Sequence, residues 1–185
     1  MDLNPGRFFR ARVQETGSFS KKEMGKPPAE KSQSGRANPV GIPYLYLASD
    51  ERTAICEIRP HPGDVISVAE FELVEPLNVV DLRNPRKTAS PFGRDQDDIR
   101  LLKENLPFLD RLADELSSPV VPRSANLEYL PSQYLCESIK KALYQGVVYR
   151  SAVGTGINYA LFDDTKFECL SIRSIRVDKV DVHFN

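Results

Sequence analysis

The order of apolar and polar residues predicts several short strands and two longer helices. Four early segments have the short apolar or alternating pattern typical of strands: 8–13, 44–48, 65–74 and 78–82. Four late segments have it too: 147–150, 158–162, 167–172 and 175–184. The C-terminal third of the chain is therefore expected to be rich in strands.

Two segments in the middle of the chain have the apolar spacing of helices. Leucine and isoleucine recur at helical intervals over residues 95–117, and Pro107 is expected to kink this helix or divide it in two. A second helix is expected over residues 132–144, with Gly146 as its stop. Because helices and strands do not alternate regularly, the pattern predicts an α+β fold with a mixed sheet.

Residues 14–43 differ from the rest of the chain because they offer few apolar side chains for burial. Lysine, proline, serine and glycine are frequent in this segment, which predicts a long loop. Long loops inside compact domains are uncommon, and we expect a functional one here because it ends in SGRANPVG. A chain of 185 residues fits one domain, so residues 1–185 are expected to form a single unit with a helical region over 95–144.

Composition and charge argue against several classes of protein. The apolar share of 41% and the charged share of 28% are ordinary for a globular protein. The net charge of −1 favours neither nucleic acid nor a membrane surface as the partner. The three cysteines are widely spaced, which predicts free thiols and neither a disulfide framework nor a structural zinc site. An apolar run of about 18 residues is missing, as is an apolar leader, so a cytoplasmic protein is expected.

Arg36 is the first residue with candidate chemistry. It follows Gly35 in the stretch SGRANPVG, where freed backbone lets the side chain approach an anion closely. Its planar guanidinium suits a phosphate pair. A loop arginine that contacts only solvent is the alternative, and this stretch alone leaves both open.

Glu57 lies near the end of a short helix expected over residues 51–58, with Asp50 as its cap. Its spacing from Ala54 places it toward the apolar side of that helix. Carboxylates rarely lie on such a face unless they are paired or functional. A salt bridge with Arg59 or another nearby base is the structural alternative.

A late strand runs into a glycine-rich turn, YRSAVGTGIN, in which Ser151 and Asn158 are the polar members. Such a turn can hold a ligand close to the backbone, although a plain hairpin turn also fits. The chain lacks a Walker lysine and the motif G-x-G-x-x-G at a helix start. It also lacks HExxH and the motifs that support a serine–histidine–aspartate triad, which argues against metal catalysis and a hydrolase triad.

Tyr46 is the last candidate. Alternation along YLYLA places Tyr44 and Tyr46 on one face of a strand and Leu45 and Leu47 on the other. Tyr46 can stack on a flat ring of a ligand from this position. An ordinary core tyrosine is the alternative.

The order of these motifs resembles the RES domain family, which is named for its Arg, Glu and Ser. The chain has Arg36 in G-R-x-N-x-x-G, Glu57 in T-A-x-x-E and Ser151 in a late Y-x-S, with Tyr46 in L-Y-L-A between the first two. The stretch from LPSQ to NYALF resembles a branch of the family that is often found behind an HEPN-like N-terminal region. In that branch, a P-[ST]-Q helix precedes the serine strand.

The resemblance implies a fold related to ADP-ribosyltransferases, with a mixed β-sheet core and a few helices. It implies a toxin-like enzyme that cleaves the nicotinamide–ribose bond of NAD⁺ as a glycohydrolase or phosphorylase, without a metal or other cofactor. On this interpretation, Arg36 anchors the pyrophosphate and Glu57 stabilises the ribose cation. Ser151 bonds the ribose or the nicotinamide amide. Tyr46 packs against the nicotinamide ring, and Asn158 joins the substrate-binding set.

The resemblance also bears on partners and on alternative functions. Many members are paired with an antitoxin that covers the active site, so a cognate antitoxin is an expected partner, and a homodimer stays open. The family usually has a bulky aromatic where this chain has Ala37. Two alternative functions stay open: a protein mono-ADP-ribosyltransferase, and a non-catalytic module that binds a nucleotide or a partner, which Ala37 favours.

Overall fold

A seven-stranded sheet forms the centre of the protein in a computed structural model that describes residues 1–4, 6–15, 17–88, 95–119 and 125–181. The strands are β1 (Asp2–Leu3), β2 (Arg7–Val13), β3 (Leu45–Ala48), β4 (Val65–Leu73), β5 (Leu77–Asn78), β6 (Val80–Asp81), β7 (Gly146–Arg150), β8 (Ile157–Leu161) and β9 (Phe167–Arg176). The helices are α1 (Glu51–Glu57), α2 (Pro85–Thr88), α3 (Gln96–Ser117), α4 (Ala125–Glu128) and α5 (Leu130–Lys141).

The sheet is mixed, in the order β6-β7-β8-β3-β2-β4-β9. The pair β6 and β7 is parallel, and the remaining neighbours are antiparallel. A separate small sheet joins β1 and β5. This mixed sheet with a few helices confirms the predicted α+β fold.

The alternation along β3 sorts its side chains into two cores, as the sequence predicts. Leu45 and Leu47 join one buried cluster, together with Phe8 and Phe71. Tyr44 joins a second buried cluster, and Tyr46 packs against it from a half-buried position. That second cluster also takes its members from the helices: Leu112 and Leu116 of α3 and Cys136 of α5. The helices therefore cover the tyrosine face of β3.

Helix α3 runs without interruption from Gln96 to Ser117, so of the two outcomes expected at Pro107, a kink or a division, the division does not occur. A proline inside a helix removes one backbone donor and strains the preceding turn. Leu112 and Leu116 lie beyond it and are almost completely buried, at 2% and 0% exposure. Their burial stabilises the second half of the helix and offsets the local loss.

Two other predicted boundaries are wrong. Helix α5 ends at Lys141, and Gly146 is the first residue of β7 instead of the helix stop. Just beyond the helix, Leu143 has a φ of 66°, a left-handed conformation that ends a helix without glycine. The segment predicted as one strand over 78–82 is divided between β5 and β6, which pair with β1 and β7.

The last two predicted strands are one strand, β9. It pairs with β4 along its whole length and absorbs a register shift opposite Glu70 and Phe71. The nine residues of β4 offer a continuous edge of backbone donors and acceptors, which explains why β9 is not interrupted. Residues 177–181 are outside the strand, and 182–185 lie outside the described residues.

The long loop is packed against the sheet although it lacks strands. Between β2 and β3 the described residues contain only a short 3-10 helix, Ala29–Lys31. Met24 is fully buried in the same cluster as Leu45, and Phe19 packs against that cluster. The loop is therefore anchored by a few apolar side chains before it reaches Arg36.

Candidate active site

A cavity of about 670 Å³ opens where β2 and β3 cease to pair. β2 pairs with β4 at seven positions but with β3 only at Phe9 and Ala48. The unpaired parts of both strands line the cavity, together with α1 and the loop before β3. Its charged lining consists of four bases and two acids: Arg10, Arg12, Lys31, Arg36, Glu15 and Glu57. A cavity of this size and charge suits an anionic ligand as large as a nucleotide.

Glu57 is the last residue of α1, and its position follows from how that helix starts and packs. Asp50 caps the helix by accepting a hydrogen bond from the Thr53 amide at 2.8 Å. Ala54 is buried in one cluster with Ala11 of β2. Small side chains at this contact let the helix approach the strand closely. The end of α1 thereby reaches the cavity.

The carboxylate of Glu57 accepts two hydrogen bonds from neutral groups. Ser151 Oγ and Asn158 Nδ2 each donate to Oε1 at 2.6 Å. No ion pair of Glu57 with Arg59 or with any other base is found among the described residues, so the salt-bridge alternative receives no support. Within the same part of the chain, Oε2 accepts no hydrogen bond. The arrangement orients the carboxylate without neutralising its charge.

Ser151 lies directly after β7 and is held by its own turn. The amides of Val153 and Gly154 donate to its Oγ at 3.2 and 2.8 Å. Because both bonds use oxygen lone pairs, the hydroxyl proton is left to point at Glu57. The glycine-rich segment is thus a turn that orients the serine as well as a connection between strands.

The same turn packs closely against the start of α1. A Cβ at Gly156 would lie 2.3 Å from both Asp50 Oδ2 and Thr53 Oγ1, so a larger residue there would have to displace these side chains. The Ile157 amide, one residue later, donates to Ser49 Oγ at 3.0 Å. This close approach brings Ser151 within hydrogen-bonding distance of the other end of the helix.

Asp50 links the strand, the helix and the turn. Burial by itself would raise the pKa of its carboxyl, but hydrogen bonds from the Thr53 amide, the Thr53 hydroxyl and Ser49 hold that pKa below its ordinary value. The carboxylate is therefore the favoured form in the folded protein. It stabilises the position from which α1 extends toward Glu57.

Arg36 lines the same cavity from the loop side. Its Nη1 donates to the Ser118 carbonyl at the end of α3, and its guanidinium lies 5.6 Å from the centre of the Tyr129 ring. That hydrogen bond uses one of five guanidinium donors. No carboxylate forms an ion pair with Arg36 in the described part of the chain. The guanidinium thus keeps donors and charge for a ligand.

The loop around Arg36 is held from β3. Tyr46 donates its hydroxyl proton to Asn38 Oδ1 at 2.7 Å and accepts from the Ala37 amide at 3.1 Å. Burial raises the pKa of Tyr46 well above its ordinary value, so the phenol keeps its proton. The Tyr46 ring lines the cavity, while its hydroxyl is engaged with the loop.

Asn38 organises the loop from inside. It is buried at 3% exposure, and its amide donates to three carbonyls: Gln33, Pro39 and Ile42. Ala37 is completely buried, so the side chain that departs from the family pattern packs into the core. The sequence singled out Asn38 only as a letter of the motif, and its structural role depends on contacts that spacing does not reveal.

Arg10 of β2 is a cavity residue that the sequence analysis missed. Its Nη1 donates to the carbonyls of Met24 and Gly25 at 3.1 and 2.6 Å. Burial lowers the pKa of its guanidinium to about 10, with nearby Arg12 acting in the same direction. The missed signal was alternation, which places Arg10 on the face of β2 that also carries the core residue Phe8. A base on a strand face that also carries a core residue is a candidate for binding an anion.

The structure thus brings most of the sequence-predicted site together. Arg36, Tyr46, Glu57 and Asn158 line one cavity, and Ser151 is hydrogen-bonded to Glu57 beside it. No group of three histidine, cysteine or acidic side chains suited to a metal ion occurs among the described residues. None of the helices in that part of the chain has the length and apolar character needed to cross a membrane.

Comparisons with known proteins bear on the family and the fold of the chain. Residues 7–185 match the family model described as the RES domain. A chain from the crystal structure of the M. tuberculosis MbcT–MbcA toxin–antitoxin complex has the same fold, with a TM-score of 0.54 and 15% sequence identity. That likeness covers 93% of this chain and 85% of the other. Comparison with curated proteins finds no match.

Proposed function

The chain belongs to the RES domain family, and from that premise we propose that it cleaves the bond between nicotinamide and ribose in NAD⁺. The observation that carries the proposal is the state of Glu57. Its carboxylate faces a basic cavity, is oriented by two neutral donors, and has an oxygen without a hydrogen bond from the described residues.

The proposed chemistry requires a negative charge beside a ribose carbon. Breaking the C1′–N bond expels neutral nicotinamide and leaves positive charge on the ribose, as an oxocarbenium-like state. Glu57 is suited to stabilise that charge while Oε2 accepts a hydrogen bond from a ribose hydroxyl. A fixed charge of this kind stabilises the transition state without reorganising during the reaction.

The rest of the dinucleotide carries negative charge on its pyrophosphate. Arg36 and Arg10 are suited to bind it, because both line the cavity and neither has a carboxylate partner at ion-pair distance among the described residues. A guanidinium can make two parallel hydrogen bonds to phosphate oxygens. Arg10 extends the sequence-based proposal, which assigned this role to Arg36 alone.

Three further residues complete the proposed site. Ser151 and Asn158 hold the carboxylate of Glu57 in one orientation, and we assign to Ser151 a second hydrogen bond, to the ribose or the nicotinamide amide, once substrate is bound. The Tyr46 ring is suited to pack against nicotinamide, because it lines the cavity. No step in this scheme requires a metal or a cofactor, since NAD⁺ is the substrate.

The products of one incubation distinguish the proposed function from its alternatives. The purified chain is incubated with NAD⁺ labelled in its adenosine half, with and without inorganic phosphate and a cell lysate. Labelled ADP-ribose or its phosphate supports NAD⁺ cleavage by water or phosphate, whereas labelled protein supports a mono-ADP-ribosyltransferase. NAD⁺ that binds but stays intact supports the non-catalytic module and contradicts the proposal.

We further propose that the chain acts as a toxin held in check by a cognate antitoxin. The fold shared with a chain of a toxin–antitoxin complex supports this role. Expression of the wild-type chain in the cytoplasm of a host cell should lower cellular NAD⁺ and arrest growth, and Glu57→Gln should do neither. Arrest by both forms would contradict a toxicity based on NAD⁺ loss.

A further inference from the structure

Two side chains at the start of α5 form hydrogen bonds with the loop that carries Arg36. Gln133 Nε2 donates to Ser34 Oγ at 2.9 Å and to the Gly35 carbonyl at 2.8 Å. Its neighbour Ser132 donates through Oγ to the Arg36 carbonyl at 2.6 Å. These contacts join residues that are more than 95 positions apart in the sequence.

Both side chains are buried in order to make these contacts. Gln133 is 5% exposed and Ser132 is 2% exposed. Burying a polar side chain is unfavourable unless its hydrogen bonds are satisfied, and here the loop backbone satisfies them. The buried polar side chains of the P-S-Q segment of α5 therefore depend on this loop for their hydrogen bonds.

These hydrogen bonds hold the peptide units on either side of Arg36. The carbonyls of Gly35 and Arg36 are held from α5, and the Ala37 amide is held from β3 by Tyr46. Fixing consecutive peptide units fixes the direction in which the Arg36 side chain leaves the backbone. The loop also lies close to β3, since a Cβ added at Gly35 would be 2.7 Å from the Tyr46 hydroxyl.

We propose that Gln133, assisted by Ser132, is a positioning residue that holds Arg36 in place to bind the pyrophosphate of NAD⁺. The inference rests on the proposed function, because the ligand of Arg36 is taken from it. Gln133 itself contacts the loop and acts on the ligand only through Arg36.

A double-mutant cycle tests the proposal with the purified full-length chain. Gln133→Met keeps the length of the side chain but removes its donors. We expect the KM for NAD⁺ to rise roughly tenfold while kcat changes less, because a displaced anchor weakens binding. In the Arg36→Ala background, the same substitution should leave KM unchanged, because the residue it positions is gone.

Matched variants separate positioning from general damage to α5. Tyr134→Ala alters the next residue, which is 75% exposed, and should keep the wild-type KM. Should Gln133→Met fail to fold, Ser132→Ala takes its place with a smaller rise in KM, again absent in the Arg36→Ala background. A wild-type KM in the folded variant, or an equal rise in both backgrounds, overturns the proposal.

A second measurement does not depend on NAD⁺ cleavage. If the wild-type chain leaves NAD⁺ intact, the proposed function fails. The hydrogen bonds between α5 and the Arg36 loop are then tested by hydrogen–deuterium exchange of the peptide spanning residues 32–42. Faster exchange in Gln133→Met than in Tyr134→Ala supports the inference that Gln133 holds the loop in place. Equal exchange in the two variants overturns it, whatever the activity of the protein.

Discussion

Ser151 Oγ donates a 2.6 Å hydrogen bond to Oε1 of Glu57, across 94 positions of sequence. The bond joins a turn after β7 to the last residue of α1, and the amides of Val153 and Gly154 fix its direction. A neutral donor of this kind orients a carboxylate while leaving its charge intact. This relationship makes Glu57 the residue on which the proposed chemistry depends.

Replacing Glu57 with glutamine should remove NAD⁺ cleavage and keep the fold. The amide oxygen can still accept from Ser151 and Asn158, but the negative charge beside the ribose is lost. We expect kcat to fall by about 10²–10³, with an unchanged thermal midpoint. Glu51→Gln, on the same helix but paired with Arg173, should retain wild-type kcat. NAD⁺ consumption at the wild-type rate by Glu57→Gln would remove this residue from the site.

Replacing Arg36 with alanine should act mainly on substrate binding. Loss of a charged hydrogen-bond donor to phosphate is expected to raise the KM for NAD⁺ by about 10- to 100-fold, with a smaller effect on kcat. Steady-state kinetics measure both. Arg86→Ala is a suitable control, because Arg86 is 68% exposed and pairs with Asp110. An unchanged KM in Arg36→Ala would show that the dinucleotide binds elsewhere.

Replacing Gly156 with alanine should destabilise the protein by pushing the turn away from α1. The added methyl would lie 2.3 Å from Asp50 Oδ2 and Thr53 Oγ1. We expect the free energy of unfolding in urea to fall by about 1–3 kcal/mol. Gly6→Ala provides the comparison, since its nearest neighbour would be 3.8 Å away. Equal stability of the two variants would mean that the turn adjusts freely.

The carboxyl of Asp50 should contribute to the acid sensitivity of the fold. Its folded-state pKa lies below its ordinary value of 3.8, so its contribution to stability is present above about pH 4 and is lost as pH falls through the folded pKa. Asp50→Asn can still cap the helix but does not titrate in this range. Urea unfolding between about pH 5 and about pH 3 should therefore show a shallower loss of stability in the variant than in the wild type. Parallel losses would contradict this role.

Much of the local structure could be predicted from sequence because it depends on neighbouring residues. The alternation of side chains along β3 predicted that Leu45 and Tyr46 lie on opposite faces, and the capping residue Asp50 predicted the start of α1. The structure departs from the local signal where long-range burial or pairing outweighs it. Helix α3 continues through Pro107 because later turns are buried, and β9 is continuous because β4 offers a long partner.

The candidate site was predictable in its members and not in its contacts. Motif order singled out Arg36, Glu57 and Ser151, and the structure adds which groups hold them: Asn38, Gln133 and the turn at Gly156. Arg10 was overlooked because a base in a strand is ordinary in sequence. It becomes notable only once β2 and β3 separate beside it.

The sequence by itself determined the approximate places of most strands and of the two longer helices, which faces are apolar, and which polar residues stand beside glycine or within a motif. These properties follow from the backbone conformation and from side chains a few positions apart. Only the tertiary structure decided that β8 lies between β7 and β3, that β2 leaves β3 after a single pair, and that α5 reaches the Arg36 loop. Strand order and helix docking depend on burial summed over the whole chain, and this total cannot be deduced from the pattern of a short segment.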